Sequence, residues 1–151
     1  MKLDKDFNEF VTLFVARDVR FLIVGGYALA AHGLPRATGD LDVWVWINPE
    51  NAAKVRSALE EFGFSGLGIT TDDFSHTDSI VQLGYPPYRI DILTSINGVK
   101  FDAAWDNRLV VDLDGVEVPF ISRRDLIVNK RAVGRLQDVA DVKRLTNEGN
   151  S

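Results

Sequence analysis

The sequence predicts an α+β fold, a small mixed β-sheet flanked by helices, with two further helices at the C-terminus. Three observations lead there. Short β-branched and aromatic runs (FLIV, LDVWVWI, YRIDILT) alternate with stretches of helical apolar spacing. Asp114-Gly115 sits between two apolar runs, the chemistry of a tight hairpin. From Ser122 onward the chain reads as helix, interrupted at Gly134.

Residues 4–17 place Phe7, Phe10, Val11, Phe14 and Val15 on one face of a first helix. Residues 21–24 form a buried strand, stopped by Gly25-Gly26. A short alanine-rich helix follows over 27–32, with Gly33 ending it, and Pro35 and Gly39 bound a loop. Residues 41–47 are a strongly β-prone strand. Asn48-Pro49-Glu50 opens a helix to residue 62, with Ala53, Val55, Ala58, Leu59 and Phe62 as its buried face. Three glycines make 63–71 a loop. Residues 77–84 and 88–94 are strands joined by a proline turn. A brief helix over 101–107 precedes hairpin strands 109–113 and 116–120. Helices over 123–133 and 135–145 then lead to a frayed polar tail.

At 151 residues the chain reads as one domain, with a core over about 21–121 and a helical segment over 122–145. It has no cysteine, which excludes disulfides, thiolate metal sites and cysteine nucleophiles and fits a cytoplasmic protein. No signal peptide and no apolar run long enough to span a bilayer is seen. A net charge of −5 argues against broad non-specific nucleic-acid binding, yet residues 122–144 are locally basic. That basic segment suits a polyanion or simply balances an acidic site.

Asp40 and Asp42 are the chemically loaded pair. Their spacing of two puts both carboxylates on one face of a strand, where they repel unless a cation sits between them. A divalent metal does this well. Asp91 lies between Ile90 and Ile92, and a charged carboxylate in so apolar a strand needs a partner. If the two strands are neighbours, three carboxylates meet at one place, as two-metal phosphoryl transfer requires. Gly25-Gly26 before a helix lets backbone N–H groups approach a phosphate.

Gly25-Gly26, Asp40-x-Asp42 and a later Asp91 together resemble the DNA polymerase β-like nucleotidyltransferase superfamily. More narrowly, GGYALAAHGLPRATGDLDVWV, with Asn129-Lys130-Arg131-Ala132 and Asp138-Val139-Ala140-Asp141, is similar to small bacterial and archaeal members grouped with toxin–antitoxin and abortive-infection systems. The resemblance spans about residues 21–145. It implies a nucleotidyltransferase fold in which Asp40, Asp42 and Asp91 are catalytic and ligate two Mg²⁺ ions, Asp91 being a candidate general base. It implies triphosphate contacts from Gly25 and Gly26, a phosphate contact from Lys130, and nucleotide contacts from Arg36 and Thr38. Gly26 stands where many members carry serine, and the additional helical domain of longer relatives is missing.

The reaction so implied moves a nucleoside monophosphate from an NTP to a hydroxyl of RNA, protein or a small molecule, with a cognate antitoxin or helical partner as the toxin context. The alternatives are a catalytically degenerate nucleotide- or partner-binding module and an NTP-dependent phosphotransferase. Several residues keep a structural reading: Asp91 as an ion-pair partner of Arg89, His32 at a helix end, His76 in an exposed loop, and Trp44 in the core rather than against a base. Lys130 reads equally as helix surface, and Tyr85 and Tyr88 as a rim for ligand or partner. No G-x-G-x-x-G or P-loop is present.

Overall fold

A computed structural model describes residues 1, 3–35, 39–64, 66–85 and 87–149, the side chains of 148 and 149 excepted. The elements are α1 (Lys5–Ala16), β1 (Phe21–Val24), α2 (Gly25–Ala31), β2 (Leu41–Val45), α3 (Pro49–Phe62), a 3₁₀ turn (Thr71–Phe74), β3 (Ile80–Leu83), β4 (Ile90–Leu93), α4 (Phe101–Asp106), β5 (Leu109–Leu113), β6 (Val116–Phe120), α5 (Arg123–Val133) and α6 (Leu136–Gly149). The strands form one mixed sheet in the order β3-β4-β2-β1-β6-β5. β2 pairs antiparallel with β1 and parallel with β4, and β1 pairs parallel with β6. Among the described residues no helix is long and apolar enough to cross a membrane.

Register divides the central strands into two faces, because residues directly opposite one another project the same way. Phe21, Ile23, Val43, Val45 and Ile92 share the first face, which receives α1: Phe14 meets Phe21 edge-on at 5.5 Å between ring centroids. Phe10 in turn meets Phe62 of α3 at 5.4 Å. Leu22, Trp44 and Leu93 share the second face with Val24, Asp42 and Asp91. There Trp44, 1% exposed, packs edge-on against Phe101 of α4 at 5.0 Å, which settles it as a core residue.

Local signals explain most boundaries. The Asp4 side chain accepts from the Asp6 N–H and starts α1; Asn48 accepts from Glu50 and Asn51 and starts α3; Ser122 accepts from Asp125 and starts α5. Gly63 and Gly134 stop α3 and α5 in the left-handed conformation.

Three expectations are corrected. β1 ends where the glycine pair begins, as expected, but that pair does not precede the helix: Gly25 and Gly26 are themselves the first residues of α2. α3 buries Asn51 and Ala52 rather than Ala53, which is exposed. The reason is Asn51, whose amide bridges the backbones of Arg20 and Trp46 and rotates the helix toward that side. The chain after Leu145 continues as helix to Gly149 instead of fraying. Thr146 contributes there, its hydroxyl donating back to the Val142 carbonyl at 2.9 Å.

Candidate active site

β1 ends, and β2 and β4 begin, at the same edge of the sheet. The register places Val24 opposite Asp42 and Asp42 opposite Asp91, so two carboxylates face the same way on adjacent strands. Asp40 lies two residues before Asp42, in the segment leading into β2. Residues 49 positions apart thus meet because β2 and β4 are hydrogen-bonded neighbours.

Glycine makes room for this arrangement at two points. Gly25 has φ +71°, and a Cβ there would fall 2.2 Å from Asp42 Oδ2. The carboxylate therefore lies directly on the backbone that opens α2, a place no other residue type can leave free. A Cβ on Gly39 would fall 2.2 Å from the Pro87 carbonyl oxygen, so the approach to Asp40 is packed against the turn that leads to Arg89. The Val24 side chain gives α2 no capping hydrogen bond.

Charge is concentrated here. Arg89 Nε donates to Asp91 Oδ1 at 2.9 Å, and its Nη2 donates to Asp91 Oδ2 at 3.2 Å and to Asp40 Oδ2 at 3.0 Å. Burial, then the neighbouring Asp91 and Asp40 charges, push the Asp42 carboxyl from 3.8 up to about 7, with Arg89 opposing. Three carboxylates lie within electrostatic reach of one another here, a concentration of negative charge that a divalent cation can offset. The cluster's donors are all carboxylate oxygens, the hard ligands that Mg²⁺ prefers. Among the described residues no three His, Cys, Asp or Glu side chains yet stand close enough to hold a metal ion as they are.

The remaining expected residues fall elsewhere. Arg36 and Thr38 lie outside the described residues. Gly26 is the second residue of α2. Lys130 is 8% exposed and its ammonium lies 3.2 Å from Asp138 Oδ1 and 2.9 Å from Asp141 Oδ2, tying α5 to α6. Burial raises the Asp138 carboxyl, but hydrogen bonds from Arg135 and Lys130 outweigh it and hold the group below its ordinary value. Lys130 is therefore neither helix surface nor an open phosphate donor in this state; it is committed to an internal ion pair.

His32 is structural. Its Nε2 lies 2.8 Å from the Ile121 carbonyl, which can only accept, so Nε2 carries the proton. Arg123 donates to the carbonyls of His32 and Leu145 at 3.0 and 3.3 Å, latching the end of α2 to α5 and α6. Tyr85 and Tyr88 are 87% and 58% exposed, beside the Arg89 turn. Tyr88 and Tyr27 both meet the Phe7 ring edge-on, at 6.3 and 5.8 Å, so an aromatic margin runs from α2 to that turn.

Sequence reasoning paired Arg89 with Asp91 but missed its bridge to Asp40. The signal was present: Arg89 and Asp91 are two apart and share a strand face, so the guanidinium joins the same cluster.

Residues 1–147 match the family described as "Nucleotidyltransferase of unknown function (DUF6036)". The chain belongs to that family. Its fold is that of nucleotidyltransferases of known structure, as similarity to solved structures bears out. A candidate nucleotidyltransferase from Thermotoga maritima superposes with a TM-score of 0.60 at 17% identity, over 94% of this chain and 91% of that one. The lincosamide antibiotic adenylyltransferase LnuA, bound to lincomycin, gives a TM-score of 0.60 at 17% identity, over 96% of this chain and 97% of that one. An antigenic nucleotidyltransferase-like protein from Paracoccidioides brasiliensis gives 0.56 at 16% identity, over 95% and 77%. No curated protein matches the chain in sequence.

Proposed function

We propose that this nucleotidyltransferase-family chain transfers a nucleoside monophosphate from an NTP to an acceptor hydroxyl, with Asp40, Asp42 and Asp91 as its metal-binding carboxylates. The observation that carries this reading is the pairing of Asp42 with Asp91 across adjacent strands, with the Asp42 carboxylate resting on the Gly25 backbone. Magnesium bound by these residues would offset triphosphate charge and lower the pKa of the attacking hydroxyl. The chain's own part is positional. Asp42 and Asp91 hold a fixed spacing because their strands are paired, and Gly25 and Gly26 leave backbone N–H groups open for phosphate oxygens. In the reaction the acceptor oxygen bonds to the α-phosphorus, the bond from that phosphorus to the bridging oxygen breaks, and pyrophosphate leaves. The acceptor proton passes to Asp91 as general base.

For the acceptor, a small-molecule hydroxyl is the first reading. LnuA is an adenylyltransferase bound to a small antibiotic, and the two chains match over nearly their whole lengths. That match supports a fold of this kind taking a small acceptor. One observation favours a second reading, an RNA acceptor in a toxin–antitoxin setting. Arg123, Arg124 and Arg131 line a groove on α5 over Ile127, Val128 and Thr146, and none of the described residues lining it is acidic.

The test is incubation with each α-labelled NTP and Mg²⁺ against panels of small hydroxyl compounds and RNA. Pyrophosphate together with labelled acceptor is the expected result, and Asp40→Ala/Asp42→Ala should abolish it. Nucleoside diphosphate as product would instead indicate a phosphotransferase. Nucleotide binding without turnover on any acceptor would indicate a binding module.

A further inference from the structure

Arg89 occupies the place where the proposed chemistry wants a cation. Its guanidinium uses three hydrogen bonds on two carboxylates, Asp91 through both oxygens and Asp40 through Oδ2. A lone pair directed at a guanidinium N–H is unavailable to a metal, so Arg89 and a divalent cation compete for the same oxygens. The side chain retains 28% exposure and springs from the residue just before β4, so it can leave the cluster without disturbing the sheet. A triphosphate seated at Gly25-Gly26, whose backbone lies against Asp42, would bring anionic oxygens to the edge of the cluster that Arg89 occupies.

We propose that Arg89 is a resident countercharge: it holds Asp40 and Asp91 together in the nucleotide-free protein and is displaced onto the triphosphate when a divalent cation arrives. This rests on the nucleotidyltransferase reading above and adds a regulatory consequence to it. A metal ion alone must evict Arg89 without compensation and binds weakly. A metal ion with an NTP supplies the anion that receives the freed guanidinium, so each ligand tightens the other. Arg89 is thus a positioning residue that makes metal uptake conditional on nucleotide, and keeps an idle site from filling with cation.

The experiment is Mn²⁺ binding to chelator-treated protein, followed by loss of the free-ion electron paramagnetic resonance signal. It compares wild type, Arg89→Gln and Arg89→Lys, with and without an α,β-methylene NTP analogue. Arg89→Gln should bind Mn²⁺ alone at least about tenfold more tightly than wild type, because one positive charge has left the cluster. The factor by which the analogue tightens Mn²⁺ should fall toward one. Arg89→Lys, whose single ammonium cannot bridge both carboxylates, should lie between the two and carries the test should the glutamine variant not fold. A purely structural ion pair predicts the opposite sign, since its loss would loosen the carboxylates and weaken Mn²⁺. Equal or weaker Mn²⁺ binding in folded Arg89→Gln, with wild type binding normally, overturns this proposal alone. Absence of Mn²⁺ binding in every protein, with and without the analogue, overturns the metal–nucleotide reading and this proposal with it.

Discussion

Replacing Asp42 by asparagine should make the metal-free protein more stable at alkaline pH, while leaving it unchanged in acid. The Asp42 carboxyl is carried from 3.8 to about 7 by burial and by Asp91 and Asp40. An acid whose pKa is higher in the folded than in the unfolded state keeps its proton on folding across that interval. Stability therefore falls as pH rises from about 4 to about 7, and is level above it. At 1.36 kcal/mol per pH unit the ceiling is about 4 kcal/mol. Water reaches this partly buried carboxylate and its neighbours rearrange, so about 1–3 kcal/mol is expected. For a chain of this length that is roughly 3–10 °C in Tm. The assay is thermal unfolding of wild type and Asp42→Asn in chelator at pH 5 and pH 8, read as the difference between the proteins at each pH. At pH 5 only about a third of the interval between the unfolded and folded pKa has been crossed, so the curves should lie close together; at pH 8 the interval is complete and the variant should unfold clearly later. An identical offset at both values, or a less stable variant at pH 8, would refute the electrostatic account of the cluster.

The remaining predictions concern the frame around these acids. Gly25→Ala forces a left-handed conformation on alanine, costing about 1–2 kcal/mol, and drives a methyl into the Asp42 carboxylate, so any NTP-dependent thermal shift should vanish. Gly98→Ala is the control: it has φ +80° and a Cβ 2.8 Å from that of Ala132, so it should lower Tm in calorimetry yet preserve the nucleotide response. Lys130→Met leaves Asp138 and Asp141 buried without their shared ammonium and should cost about 3 kcal/mol in chemical denaturation. Adding Asp138→Asn and Asp141→Asn should restore most of that, because the two buried groups that faced the ammonium then carry no charge.

Much of the fold is legible in the sequence where local chemistry decides it. Asp114-Gly115 specifies the β5–β6 hairpin, and Ser122 and Gly134 bound α5, because turns and caps depend on residues a few positions apart. The carboxylates are legible for the same reason: a spacing of two and an acid within an apolar strand stand out. Which strands are neighbours is not local, and the convergence of Asp42 with Asp91 depended on it. The burial of Ala53 and the surface reading of Lys130 fail for one reason. A tertiary partner, the backbone around Asn51 or the carboxylates of α6, overrides helical periodicity and the habit of leaving lysine in water.

The parallel pairing of β2 with β4 makes the site a seam between two stretches of chain. One stretch, from α1 through α3, brings Asp40, Asp42 and the glycine backbone; the other, from β3 onward, brings Arg89 and Asp91. Neither is chemically useful without the other, so a nascent chain that stops after α3 carries no finished site. Strand pairing, and not the connector, sets the spacing of the acids. A Cβ on Gly63, Gly66 or Gly68 in that connector would meet nothing, and closing a longer loop costs little. The glycine-bearing stretch of that segment, ahead of the buried Phe74, is accordingly open to an insertion over evolutionary time while the carboxylates stay in register.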